Sequence, residues 1–279
     1  MSTDIFTRSA TVLGAVLLAA AAALPAHADV LFNNGSPSTG TVTADGTVAP
    51  DGTTWAESQG GTIGWTNSAT SSGFRYTLAD DFTVGAGTTW TINSVNLLSY
   101  VTDVPATDSP IRGVALQIWS GTPGAAGSAV VWGNLTTNLM SSSEFANIYR
   151  SELNYPQLQR PMWDTTATTT GLVLGEGTYW VEWLTITGSS STRAFGVPVH
   201  VDGQTAASGA NGLQGAYDPS TGLTTYVQAI DSGVQQAQAI PFVLNGNVAA
   251  VPEPATAALW LLGSLGLAAV ARRRSNAGA

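Results

Sequence analysis

The sequence predicts an all-β fold, a single antiparallel β-sandwich or jelly-roll-like domain flanked by an N-terminal signal peptide and a C-terminal transmembrane helix. Three observations carry this. Ten or so short runs of alternating, β-branched or aromatic residues recur at fairly regular spacing, each closed by Gly, Pro, Asn or Asp. Helix formers are scarce, because all nine basic residues are Arg, none is Lys, and Gly, Ser and Thr fill the intervals. Eight of the nine Trp fall in the body, an apolar payload suited to a packed sheet interior.

Residues 1–28 read as a secretory signal peptide. Arg8 and the amino terminus open it, residues 10–24 are apolar and Ala-rich, and Ala26-His27-Ala28 fits the small-x-small cleavage rule. The mature chain should then begin at Asp29, and the body, 29–250, follows as one β-domain.

Within the body, Asp29-Val30-Leu31-Phe32 is a first strand. Residues 36–73 are polar and turn-rich, and read as a loose hairpin region anchored by Trp55, Ile63 and Trp65. Residues 76–84 alternate around Asp80 and Asp81. Residues 90–101 alternate again, with Trp90, Ile92, Val95 and Leu97 on one side only if a bulge intervenes. Residues 113–120 place Val114, Leu116 and Ile118 on one face, and Ala115, Gln117 and Trp119 on the other. Strands are also predicted at 130–132, 147–150, 195–201, 226–230 and 239–244. Residues 172–174 and 179–186 read as a hairpin about Gly175-Glu176-Gly177. The one helix candidate in the body is the single turn 141–145.

The last segment, 251–279, has three parts. Pro252-Glu253-Pro254 leads, residues 255–271 are 17 uncharged residues, and Arg272, Arg273 and Arg274 close it. As a helix the middle part reaches about 25 Å, the short end of what spans a bilayer, and the arginines would stay on the cytoplasmic side. This layout resembles the PEP-CTERM sorting signal of Gram-negative bacteria that make exopolysaccharide. The resemblance implies that Pro252, Glu253 and Pro254 form the recognition motif of an exosortase-type processing enzyme. It also implies that the body passes the inner membrane, is held there transiently, and goes to the cell surface or extracellular matrix. Signal peptidase, cutting after Ala26-His27-Ala28, is the other expected partner. Residues 78–84, 90–92 and 121–124 further resemble a module of bacterial secreted β-sandwich proteins, which implies a fold and no activity.

Residues 29–251 carry five Arg and 16 acidic residues, a net charge of −11. That argues against nucleic acid as a partner, and against anionic polysaccharide held by charge alone. Cys is absent, which excludes disulfides, Cys-ligated zinc and thiol catalysis. His200 is the single imidazole of the body and is expected at a strand edge, since no Gly-x-Ser-x-Gly elbow accompanies it. Glu176 and Glu182 are too far apart along a strand, at ~20 Å, for a glycosidase pair. Glu182 instead reads as a buried acid needing an Arg partner from among Arg75, Arg112, Arg150, Arg160 and Arg193. No catalytic residue is assigned. The one cofactor the sequence admits is Ca²⁺, at Asp80, Asp81, Asp103 and Asp108, although neighbouring strand residues point to opposite faces and strand-end capping suits Asp80 and Asp81 better. Trp55, Trp65, Trp119, Trp132 and Trp163 lie near turns and could stack on sugar rings. The expectation is therefore a non-enzymatic envelope or matrix protein, structural or adhesive in an exopolysaccharide biofilm. The alternatives are a carbohydrate-binding module using surface Trp and a polysaccharide-active hydrolase.

Overall fold

The structure is a computed structural model, and residues 29–251 of the chain are described. Every regular element among them is a strand. The order is β1 (Asp29–Asn33), β2 (Thr54–Glu57), β3 (Trp65–Thr66), β4 (Arg75–Val84), β5 (Thr88–Val101), β6 (Ile111–Ser120) and β7 (Ala129–Asn134). Then come β8 (Met140–Ser151), β9 (Pro161–Leu174), β10 (Gly177–Thr187), β11 (Ala194–Gly196), β12 (Leu213–Asp218), β13 (Leu223–Gln228) and β14 (Phe242–Ala250).

They form two sheets. The eight-stranded sheet runs β1-β14-β5-β9-β8-β2, with β11 joining β3 to the end of β5. The six-stranded sheet runs β13-β12-β4-β10-β6-β7. Alternation dictates what lies between them. Leu78, Phe82, Val114, Leu116, Ile118, Val181 and Trp183 from the second sheet meet Ile92, Val95, Leu97, Leu172, Phe242 and Leu244 from the first. The bulge expected in β5 is there, because its pairing with β9 shifts register between Ile92 and Ser94. That shift keeps Trp90, Ile92, Val95 and Leu97 all in the core.

Several expectations are corrected. Residues 141–145 are strand, the first half of β8. Asn147, with a φ of 57°, sits where the β8–β9 register shifts between Phe145 and Tyr149, and a short polar run preceding such a bulge mimics a helical turn in sequence. The sandwich is not wholly antiparallel, because β2 pairs with β8 in parallel. Residues 172–186 are no hairpin either. β9 and β10 lie in different sheets, and the turn at 175–176 carries the chain across the core. The turn at 85–87, where Gly87 takes φ 67°, does the same between β4 and β5.

Residues 36–73 are tied down rather than loose. Trp55 is buried, and its indole N–H donates to the Thr47 carbonyl at 3.2 Å. The backbone of residues 56–63 is gripped by two ionised side chains. The Arg150 guanidinium, 1% exposed, donates to the carbonyls of Ile63 (2.7 Å), Ala56 (3.0 Å) and Thr62 (3.1 Å). The Asp231 carboxylate accepts the amides of Gly61 (3.0 Å) and Thr62 (3.1 Å), together with those of Gly233 and Val234. Burial lowers the Arg150 pKa to about 10. Four backbone amides hold Asp231 below the usual carboxylate range, against its partial desolvation.

Candidate functional site

A closed polar cluster lies at the centre of the six-stranded sheet, around Glu182. Glu182 on β10 points away from the inter-sheet core and is 0% exposed. It is covered by a small second core on the outer face, where Ala79, Trp180 and Leu213 pack with Trp119 and Tyr226. The turn after β6 reaches over that face, so that a Cβ at Gly124 would lie 2.6 Å from the Tyr226 ring.

The expected Glu182–Arg pair does not form. Its carboxylate accepts from Thr77 Oγ1 (2.6 Å), Trp119 Nε1 (2.7 Å), Gln117 Nε2 (2.8 Å) and the Tyr226 hydroxyl (3.2 Å to each oxygen). These are neutral donors from β4, β6 and β13. Together they satisfy a buried carboxylate without a counter-charge at contact distance. Burial and the adjacent Glu182 raise the Tyr226 pKa beyond the ordinary tyrosine range. Gln117 and Trp119 share a face in the sequence reading, and the β6–β10 register sets Gln117 directly opposite Glu182. Thr77 and Tyr226 come from distant strands, and no short-range signal marks them.

Asp80, on the opposite face of β4 from Thr77, is 2% exposed. It accepts from the Ile240 amide (2.6 Å), Asn34 Nδ2 (2.8 Å) and the Asp81 amide (2.8 Å). Capping of backbone amides is thus its role, although it works from mid-strand, where it ties β4 to the segment before β14. Burial pushes its carboxyl up to about 7, against those donors. Asp103 lies in the exposed turn after β5, and Asp108 faces Arg112 at 3.9 Å on the surface. Among the described residues no group of three or more His, Asp or Glu is placed to hold a metal ion. His200 sits between Gln59 Nε2 and Asp202 Oδ1, each at 2.7 Å. Glu176 is exposed in the β9–β10 turn.

The Trp set divides. Trp55, Trp65 and Trp163 are buried, and only Trp119 and Trp132 keep partial exposure. Trp119 is engaged by Glu182, and Trp132 donates to the Thr170 carbonyl at 3.3 Å. Sugar stacking on a row of surface indoles therefore has little to rest on. An open cleft of about 560 Å³ lies between residues 106–112 and β8, bordered by Asp108, Arg112, Ser143, Glu144, Phe145 and Trp163. The Trp163 indole N–H in its wall is buried and has no partner among the described residues.

The expected cleavage residues Ala26 and Ala28, the motif Pro252, Glu253 and Pro254, and Arg272, Arg273 and Arg274 lie outside the described residues, as does the 255–271 span. Among the described residues no helix is long and apolar enough to cross a membrane.

A body whose regular elements are all strands, followed by an apolar segment and an Arg run, defines a class: β-proteins that carry a C-terminal sorting signal. The signal is the PEP-CTERM protein-sorting motif, which matches residues 250–275. It implies processing by an exosortase-type enzyme, and an exported protein that is membrane-anchored and then displayed at the surface. No curated protein and no solved structure matches the chain.

Proposed function

We propose that this chain is a non-enzymatic structural or adhesive component of the cell envelope or of an exopolysaccharide matrix, released or re-anchored through its C-terminal signal. The observation that carries the reading is how the candidate catalytic groups are used. Glu182 is saturated by four neutral donors and sealed from solvent, and the His200 ring is bracketed by Gln59 and Asp202. Asp80, Arg150 and Asp231 each hold backbone in place. A general acid or base must reach a substrate proton, and these groups are engaged in holding loops and strands together.

On this reading residues 1–28 are removed on export, and the tail holds the body on the periplasmic side before it reaches the surface. Deleting the gene should weaken matrix retention or cohesion of the cells, and an Asp108→Asn/Glu144→Gln/His200→Ala protein should restore it fully. Failure of that catalytically blank protein to complement would overturn the non-enzymatic reading.

A second reading has one specific support. The cleft beside β8 joins an aromatic wall, hydroxyls and an Asp–Arg pair, a chemistry that suits a neutral glycan. Affinity electrophoresis in polysaccharide gels, with Phe145→Ala as control, separates it from the first. Asp108 and Glu144 both border that cleft, so turnover abolished by Glu144→Gln would establish the hydrolase alternative instead.

A further inference from the structure

Arg75 is set apart from the other arginines of the body. Arg112, Arg150 and Arg160 each donate to a protein oxygen, and Arg193 stands exposed at the surface. Arg75 is half-buried, and among the described residues its guanidinium has no hydrogen bond or ion pair. Its Cζ lies over the Tyr217 ring, 4.2 Å from the centroid, a cation–π contact that holds it beside that ring.

The guanidinium borders a recess of about 110 Å³ on the outer face of the six-stranded sheet. β4, β10, β12 and β13 form its floor, and Leu135 and Thr136, just past β7, arch over it. Thr77, Thr136 and Thr224 add hydroxyls to the wall, and Leu184 adds an apolar patch. Its only titratable wall groups are Arg75 and Tyr217. Glu182 is reached through Thr77, but its oxygens are already occupied. A planar fork of unengaged donors, in a recess with hydroxyls and no acid in its wall, is the complement of a carboxylate. The volume holds a few non-hydrogen atoms, since one water takes ~30 Å³ of liquid. It therefore suits a carboxylate end group and not a whole ring.

We propose that this recess is a binding site for the carboxylate of a sugar acid, with Arg75 as the charged anchor, the Thr224 hydroxyl as a donor, and the Thr77 and Thr136 hydroxyls, which already donate to Glu182 and Asn134, as acceptors for sugar hydroxyls at the mouth. The site is separate from the cleft beside β8 and does not depend on whether the body is structural. It also reconciles a body of net charge −11 with an acidic polysaccharide, because capture is by one shaped pocket and not by the overall field.

The test uses the full chain, exported with its own signals and purified, with D-glucuronate, D-glucose and acetate as probes followed by NMR titration and calorimetry. Saturable glucuronate binding is expected, at least tenfold weaker in Arg75→Met and unchanged in Arg193→Met, with no saturable binding of glucose. Should Arg75→Met fail to fold, Thr224→Trp, which fills the recess from an exposed position, should abolish binding while leaving the near-ultraviolet circular dichroism intact. Equal binding of glucose, full binding by both recess variants, or no saturable binding of glucuronate would each overturn the proposal. Saturation by acetate alone would overturn the sugar acid as its ligand.

Discussion

Replacing Glu182 tests whether a buried carboxylate held by neutral donors is a keystone of the six-stranded sheet. Glu182→Leu removes the acceptor and leaves Thr77, Gln117, Trp119 and Tyr226 with donors pointing into a closed interior. Each orphaned buried donor costs about 1–3 kcal/mol, so four of them cost about 4–12 kcal/mol. Relief of the desolvated charge, and rotation of the Thr77 and Tyr226 hydroxyls to other acceptors, offset part of that. A net loss of about 4 kcal/mol is expected, a large fraction of a domain's ~5–15 kcal/mol. Glu182→Gln behaves differently. Its amide oxygen can keep Gln117 and Trp119, and its NH₂ can donate to the Thr77 hydroxyl, which also accepts. The amide should therefore cost only about 1–2 kcal/mol. Urea unfolding followed by Trp fluorescence reads both variants, since Trp119 and Trp180 sit in the same cluster. A Leu variant within 1 kcal/mol of the parent, or a Gln variant worse than Leu, would refute the reasoning.

Other outcomes follow from the same contacts. Asp80 has its folded pKa raised to about 7 from 3.8, so the folded state holds the extra proton between those values. Stability should accordingly fall as pH rises from about 4 through about 7, by up to about 4 kcal/mol, and Asp80→Asn should flatten that stretch of the urea-midpoint profile. Arg150→Met removes a buried charge but strips three carbonyls of their donor, so a loss of about 3 kcal/mol is expected, with early proteolysis within residues 56–63. Gly60→Ala would drive a Cβ into the Asp231 carboxylate and should cost about 2 kcal/mol in the same assay. Neutral residues at Arg272, Arg273 and Arg274 should leave the tail unprocessed and impair retention, as seen by immunoblot of fractionated cells.

Legibility in the sequence tracked locality. The β5 bulge and the two faces of β6 could be read because a period of two, or a single break in it, is visible within ten residues. β9 was legible only at its end, Leu172 to Leu174, because its inward positions Thr165, Ala167 and Thr169 are small or polar and give no apolar alternation. β12 hid for a similar reason, with Gly215 where a large residue would mark the face. Gly-rich turns at 85–87 and 175–176 look the same whether they close a hairpin or cross between sheets. The donors to Glu182 were out of reach, since Thr77 stands 105 positions away and could not be distinguished from any other strand threonine.

The pairing of β1 with β14 sets Asp29 opposite Gly246, near the point where the chain leaves toward its tail, and Val251 bonds back to Gly87. Entry and exit thus share one pole of the sandwich, together with the arches at 85–87 and 175–176. Phe145 and Trp163, whose strand row reaches Ser99 near the far end of β5, lie toward the opposite pole. The cleft beside β8 and the point where the chain leaves toward its tail thus occupy opposite ends of the sandwich.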